Sequence, residues 1–294
     1  MTTIAVPMRP GGAPAARTAT AQRADGSARV AFDARADGVT RLDDLYQRAP
    51  CRVLFPRSAA GEPPQAVLLT TTGGLTGGDR VHVRFAVGSG ARATLSTQAA
   101  EKIYRALPDE APARVDVAIT VDDAAWAEWL AQETILFDGA RLHRRVEADV
   151  APGGRLLAIE SAVFGRGAMG ETMRRGLLHD AWRIRRDGRL VWADGQRFAE
   201  TDLAPTPPAF GLDGARALAT LIYVGDDAAA MRDRVRPLIA DAGCDGAATC
   251  IDGVLVTRLM GAEPPVRRAV MALGAALRAA AAGLMPELPR VWHC

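Results

Sequence analysis

The segment Arg80-Val-His-Val-Arg-Phe-Ala-Val87 decides the fold class, because its apolar residues fall at every second position. Val81, Val83, Phe85 and Val87 share one side of an extended chain, and His82, Arg84 and Ala86 share the other. Successive side chains of a strand point to opposite faces, so this run has one face in a core and one toward solvent or another layer. The same period returns at Val115, Val117, Ile119 and Val121. It continues through Leu142–Val150 and Arg155–Ile159, joined by the turn sequence Pro152-Gly153-Gly154. Trp182 and Ile184 then alternate with Arg183 and Arg185, Asp187-Gly188 reverses the chain, and Leu190 and Trp192 return. Asp-Gly between alternating runs is hairpin chemistry, since both turn residues must take positive φ.

Helical spacing appears only late. After an Asp226 N-cap, Met231, Val235, Leu238 and Ile239 lie on one face, and Pro237 must kink or shorten the segment. A second helix opens at Pro264-Pro265, repeats at Val266, Val270, Leu273 and Leu277, leaves Arg267, Arg268 and Arg278 outside the stripe, and closes at Gly283. Strands come first and helices afterwards, without βαβ alternation. That excludes a doubly wound parallel sheet and predicts a mainly-β body over residues 27–224 with a helical part over 225–294, together one domain. Residues 1–26 are rich in Ala, Thr, Gly, Pro and Arg and read as a disordered arm. Their longest apolar run, Ile4–Val6, is too short for a secretory signal.

The chain has 294 residues and a net charge of +2, which argues for neither a nucleic-acid nor a membrane partner. Cys51, Cys244, Cys250 and Cys294 form no C-x-x-C pair, and reduced thiols in the cytoplasm are expected. Cys244 and Cys250, beside Asp-Gly turns, read as buried thiols in preference to metal ligands.

Two glycine clusters invite a nucleotide. In Gly73-Gly74-Leu75-Thr76-Gly77-Gly78-Asp79 the last glycine is followed by an acid that repels phosphate, where a phosphate loop has lysine, and then by a strand. Gly165-Arg166-Gly167-Ala168-Met169-Gly170 matches G-x-G-x-x-G after a strand. A dinucleotide site needs a helix opening at those glycines, and Glu171–Gly176 is too short and polar to supply it. A tight loop is the reading, and a nucleotide-dependent oxidoreductase is the rival from another class. No G-x-S-x-G is present, Ser96 and Ser161 lack a base-supplying motif, and His82, His143, His179 and His293 show no metal spacing. Asp79, Glu101, Glu133, Asp138, Glu160 and Glu171 lie beside glycine-rich, amide-rich or aromatic segments and could line a polar path.

Five segments in order resemble the urease accessory family called UreD or UreH: Leu68–Arg80 (LLTTTGGLTGGDR), Leu95–Arg105 (LSTQAAEKIYR), Gln132–Leu142 (QETILFDGARL), Glu160–Glu171 (ESAVFGRGAMGE) and Leu288–Cys294 (LPRVWHC). The resemblance runs from about Ser27 to the end, with Thr70 where many members have Asn. It implies stacked β layers with a β-helical course and two C-terminal helices. It implies a scaffold, not an enzyme, that binds urease apoprotein and the accessory protein UreF, which recruits the GTPase UreG. It also implies nickel in transit through an internal channel, with no permanent metal site or cofactor. Asp79, Glu133, Glu160 and Glu171, all within or beside the matched motifs, are the nickel-path candidates. Oxygen ligands hold Ni(II) more weakly than His/Cys sets, which suits an ion that must leave again. Val266, Val270, Leu273, Leu277 and Trp292 are the candidates for the UreF face, as an amphipathic helix with an aromatic anchor.

Overall fold

The computed structural model describes residues 22–199, 203 and 211–293. The arm expected over residues 1–26 lies outside the described residues as far as residue 21, and Asp25 and Gly26 already belong to the first strand. Among the described residues the chain forms seventeen strands and two α-helices.

The chain crosses repeatedly between two sheets. Strands β1 (Asp25–Ala34) and β2 (Thr40–Arg48) lie in the first, and β3 (Cys51–Leu54) and β4 (Gln65–Thr70) in the second. It returns to the first with β5 (Arg80–Val87) and to the second with β6 (Arg92–Thr97) and the short β7 (Glu101–Ile103). The cycle repeats with β8 (Ala113–Val121), then β9 (Trp126–Leu130) and the short β10 (Thr134–Leu136). It repeats again with β11 (Arg141–Val150) and β12 (Arg155–Phe164). The hairpin β13 (Leu177–Arg186) and β14 (Arg189–Ala199) ends the first sheet, and β15 (Ala217–Val224) pairs antiparallel with β12 in the second.

Within the first sheet β5, β8, β11 and β13 pair in parallel, and within the second β4, β6, β9 and β12 do the same. Each circuit therefore lays one strand on each sheet and steps one place sideways, which is the β-helical course the resemblance implied. Register aligns the alternating residues into rows: Val83 lies opposite Val117, Val117 opposite Val146, and Val146 opposite Trp182, all buried. The second sheet is covered on both faces, so β12 is buried from Leu156 to Phe164 instead of alternating. Its inner face, with Ala158, Ala162 and Phe164, meets the first sheet. Its outer face, with Leu157, Ile159 and Val163, meets the helices.

After β15 come α1 (Ala228–Ala240), the hairpin β16 (Asp245–Ile251) and β17 (Val254–Gly261), and α2 (Glu263–Ala282). Between the two expected helices of residues 225–294 stands a hairpin that the sequence reading did not include: Asp252 and Gly253 take φ of 48° and 77°, and β17 extends the second sheet from β15. Three details of the helices also differ from expectation. Asp227, not Asp226, occupies the N-cap position of α1, because Asp226 accepts from Arg186 and Asp227 from the Tyr223 hydroxyl. Leu238 is 39% exposed at the edge of the α1 stripe. Arg278, expected outside the α2 stripe, is 1% exposed, since Glu62 and Glu128 receive it in the interior.

Val266, Val270, Leu273, Leu277 and Trp292 are all at most 2% exposed, packed within the cluster between α2 and the second sheet. Trp292 donates its indole N–H to the carbonyl of Leu130. The apolar stripe and its aromatic anchor thus cover this chain's own β body, and in this conformation they are not offered to a partner.

Candidate functional site

Between the two sheets lies a cavity of about 220 Å³. Val81, Val83, Val115, Leu142 and Arg144 line it from the first sheet, and Leu68, Thr97, Trp129, Thr134 and Glu160 from the second. Gly73, Leu75 and the segment Gln98–Lys102 complete its wall. The wall includes part of the Thr71–Asp79 turn, so the glycine motif borders the cavity without cradling a phosphate. Gly74 (φ 150°) has no room for a side chain, since a Cβ there would stand 2.7 Å from the Lys102 carbonyl oxygen.

Arg144 and Glu160 form the polar floor, and Asp180 behind them completes a network of three ionisable groups. On β11 the inward positions are Leu142, Arg144, Val146, Ala148 and Val150, so Arg144 projects its guanidinium into the core, 4% exposed. It donates to both oxygens of Asp180 on β13, Nε to Oδ1 at 3.0 Å and Nη2 to Oδ2 at 2.7 Å. Its Nη1 donates to Glu160 Oε2 on β12 at 2.5 Å and to Thr134 Oγ1 at 3.2 Å. The Trp129 indole N–H donates to the other Glu160 oxygen at 2.8 Å.

The charges decide what this network can do. One guanidinium faces two carboxylates, so full ionisation leaves one excess negative charge in a dry interior, where unpaired charge is costly. Burial pushes the Glu160 carboxyl up to about 7; Arg144 opposes this and Asp180 adds to it. Burial also acts against the charge on Arg144, but Asp180 and Glu160 outweigh it and hold its proton more tightly than usual. The excess charge is relieved by a proton on Glu160 or by another cation entering the cavity. Elsewhere on the wall, Glu101 accepts from the Thr70 hydroxyl at 3.1 Å, and burial pushes its carboxyl up to about 7 as well.

Of the four path candidates, only Glu160 lines this cavity. Asp79 is buried and accepts the backbone N–H of Ala24 and of Thr76, both at 2.8 Å, which ties the glycine turn to the approach to β1. Glu171 accepts the N–H of Asp138 at 2.7 Å and pairs with Arg166, closing the Gly165–Gly170 loop. Glu133 lies 3.5 Å from Arg267 on α2. The sequence reading did not place Arg144 or Asp180 at the site, and weighed Glu101 without selecting it. The available signal was a charged residue at a core-facing position: Arg144 between Leu142 and Val146, and Asp180 between Leu178 and Trp182.

A second buried network joins Glu128 on β9 to Arg278 on α2 (2.7 Å) and to Thr94 on β6 (2.5 Å). It bolts the helix to the sheet. The G-x-G-x-x-G segment forms a three-residue 3-10 turn, Gly167–Met169, and the chain then runs without helix to β13. A dinucleotide site needs a helix N-terminus there, so that reading fails on geometry. Among the described residues no three or more His, Cys, Asp and Glu side chains group as metal ligands, and no helix is long and apolar enough to cross a membrane.

Comparison with known proteins agrees with this architecture along nearly its whole length. The family model described as UreD urease accessory protein matches residues 24–293. The urease accessory protein UreD of Methylobacterium sp. (strain 4-46) is 42% identical over 278 residues, covering 92% of this chain and 95% of that protein. The UreD of Rhizobium leguminosarum bv. viciae is 39% identical over 294 residues, covering 100% of both. That of Magnetococcus marinus is 38% identical over 277 residues, covering 92% and 94%. The chain belongs to the UreD family of urease accessory proteins.

Proposed function

We propose that this chain serves urease maturation as a non-catalytic scaffold that holds urease apoprotein and UreF, with UreG joining through UreF, and lets nickel pass through the inter-sheet cavity. The observation that carries the path is the Arg144–Glu160–Asp180 network, which has one excess negative charge when ionised and reaches the cavity wall at Glu160 and Arg144. A divalent cation arriving at Glu160 replaces the proton that burial favours there, and a carboxylate already engaged by Arg144 holds it weakly enough to release it. Glu101 offers a second oxygen ligand on the same wall. Asp79, Glu133 and Glu171 act in this account as loop and helix fastenings, through the hydrogen bonds and ion pair each already makes.

The test is co-expression of urease, UreF and UreG with this chain carrying Glu160→Gln or Asp180→Asn, each preserving shape while removing charge. Nickel per urease active site should fall while both variants still co-purify with UreF and urease. Full nickel loading by both variants would remove the network from the path. Loss of co-purification, in place of a nickel deficit, would make it a purely structural device.

A further inference from the structure

We propose that the outer face of the first sheet, along the row Arg80–Arg114–His143–His179–Arg197, docks an acidic segment of a partner protein. Register places these five side chains directly opposite one another on β5, β8, β11, β13 and β14. With strands spaced about 4.8 Å apart, the row is about 19 Å long. Like charges directly across a sheet destabilise it, yet none of the three arginines makes an ion pair with any described residue. The one carboxylate at the end of the row, Asp25 opposite Arg80, is engaged by Arg48 at 2.6 Å.

The electrostatic consequence is visible at His143. It meets His179 edge to face at 5.3 Å, and its proton affinity is lowered, first by burial and then by His179, Arg114, Arg141 and Arg197. Basic groups on its own strand and on three others therefore bear on one imidazole.

The shape and charge of the face select the occupant. A groove of about 570 Å³ follows the middle of the row at Arg114, His143 and His179, and Ala181, Ala193 and Gly195 keep its floor low enough for a chain to approach. The next row carries Asp116 between His82 and Arg145, and the row beyond carries Glu147 beside Arg183, so acids break the basic surface into short stretches that suit a few carboxylates better than a continuous polyanion such as nucleic acid. A peptide segment with a few carboxylates meets the basic row alone. The row is open and elongated, which suits a segment better than an isolated small anion.

The test is fluorescence anisotropy of a labelled hexaglutamate peptide titrated with the full chain at low salt. Arg114→Glu/Arg197→Glu should weaken binding about tenfold or more, because two favourable ion pairs become repulsive. Arg234→Glu/Arg268→Glu, the same charge change on the exposed side of α1 and α2 beyond the second sheet, should alter it no more than about twofold. Unfolding midpoints establish that both variants fold, and Arg114→Gln/Arg197→Gln replaces the first if it does not. Bound peptide should also raise the His143 pKa measured by NMR. Equal weakening by the two pairs, no measurable binding, an unmoved His143, or equal competition by a single-stranded oligonucleotide of the same charge would overturn the proposal.

Discussion

Arg144 binds two carboxylates at once, and that imbalance governs the stability of the interior around it as well as the chemistry of the cavity. Removing the cation while keeping the bulk, as in Arg144→Met, strands Glu160 and Asp180 without a partner and should cost about 3–5 kcal/mol in urea unfolding. A cost below about 1 kcal/mol would show that the triad is not holding the sheets together. Glu101 supplies a pH test with a definite sign. Its folded pKa lies near 7 against an ordinary 4.5, so the folded state binds the proton more tightly. Stability should fall as pH rises through that window, by about 3 kcal/mol at most from this one group. Glu101→Gln should lessen the fall in unfolding free energy between about pH 5 and 8, with Glu160 supplying the remainder; an unchanged or steeper fall would contradict the assignment. The site was partly legible at this scale. Glu160 stood out through its motif and lines the cavity, whereas Asp79 and Glu171 stood out equally and lie off it, hydrogen-bonded to loop backbone. Position on the strand separates them better than proximity to glycine, because a charge at an inward position must find a buried partner.

The elements show which local signals survive folding. Asp187-Gly188 and Asp252-Gly253 both make hairpin turns with positive φ, since residues that tolerate that backbone leave few alternatives. Gly283 closes α2 in the left-handed conformation, and Pro264-Pro265 opens it. Pairing order was less legible: β5 and β8 are neighbours only because β6 and β7 lie between them in the other sheet, and that depends on the whole circuit. The stripe on α2 was equally visible, but periodicity does not say what it covers. Its burial gives a prediction. Ending the chain after Gly283 removes Leu284, Leu288 and Trp292, all buried, and each should withdraw about 1.5–3 kcal/mol of apolar stabilisation. The truncated chain should unfold at clearly lower urea concentration before any partner is added, and an unchanged midpoint would contradict the packing described. At the glycine turn, Gly74→Ala should cost more than about 1 kcal/mol in the same assay, because the Cβ meets the Lys102 carbonyl.

At the scale of the whole molecule, the helical layer and the first sheet enclose a second sheet with no solvent-facing side across its central strands. That arrangement places polar groups of β11, β12 and β13 between the two sheets, where the proposed nickel path would run. Ala131 lines the cavity and is buried, so Ala131→Phe places a ring in a space of about 220 Å³ without altering the outer surface. The decisive measurement is the nickel content of urease purified after co-expression with UreF, UreG and this variant, alongside co-purification of the variant with UreF and urease. The account predicts an intact assembly and nickel reduced to about a tenth of the unmodified level, as expected when a passage is narrowed at its lining. Full nickel loading by a folded, assembled Ala131→Phe chain would contradict it.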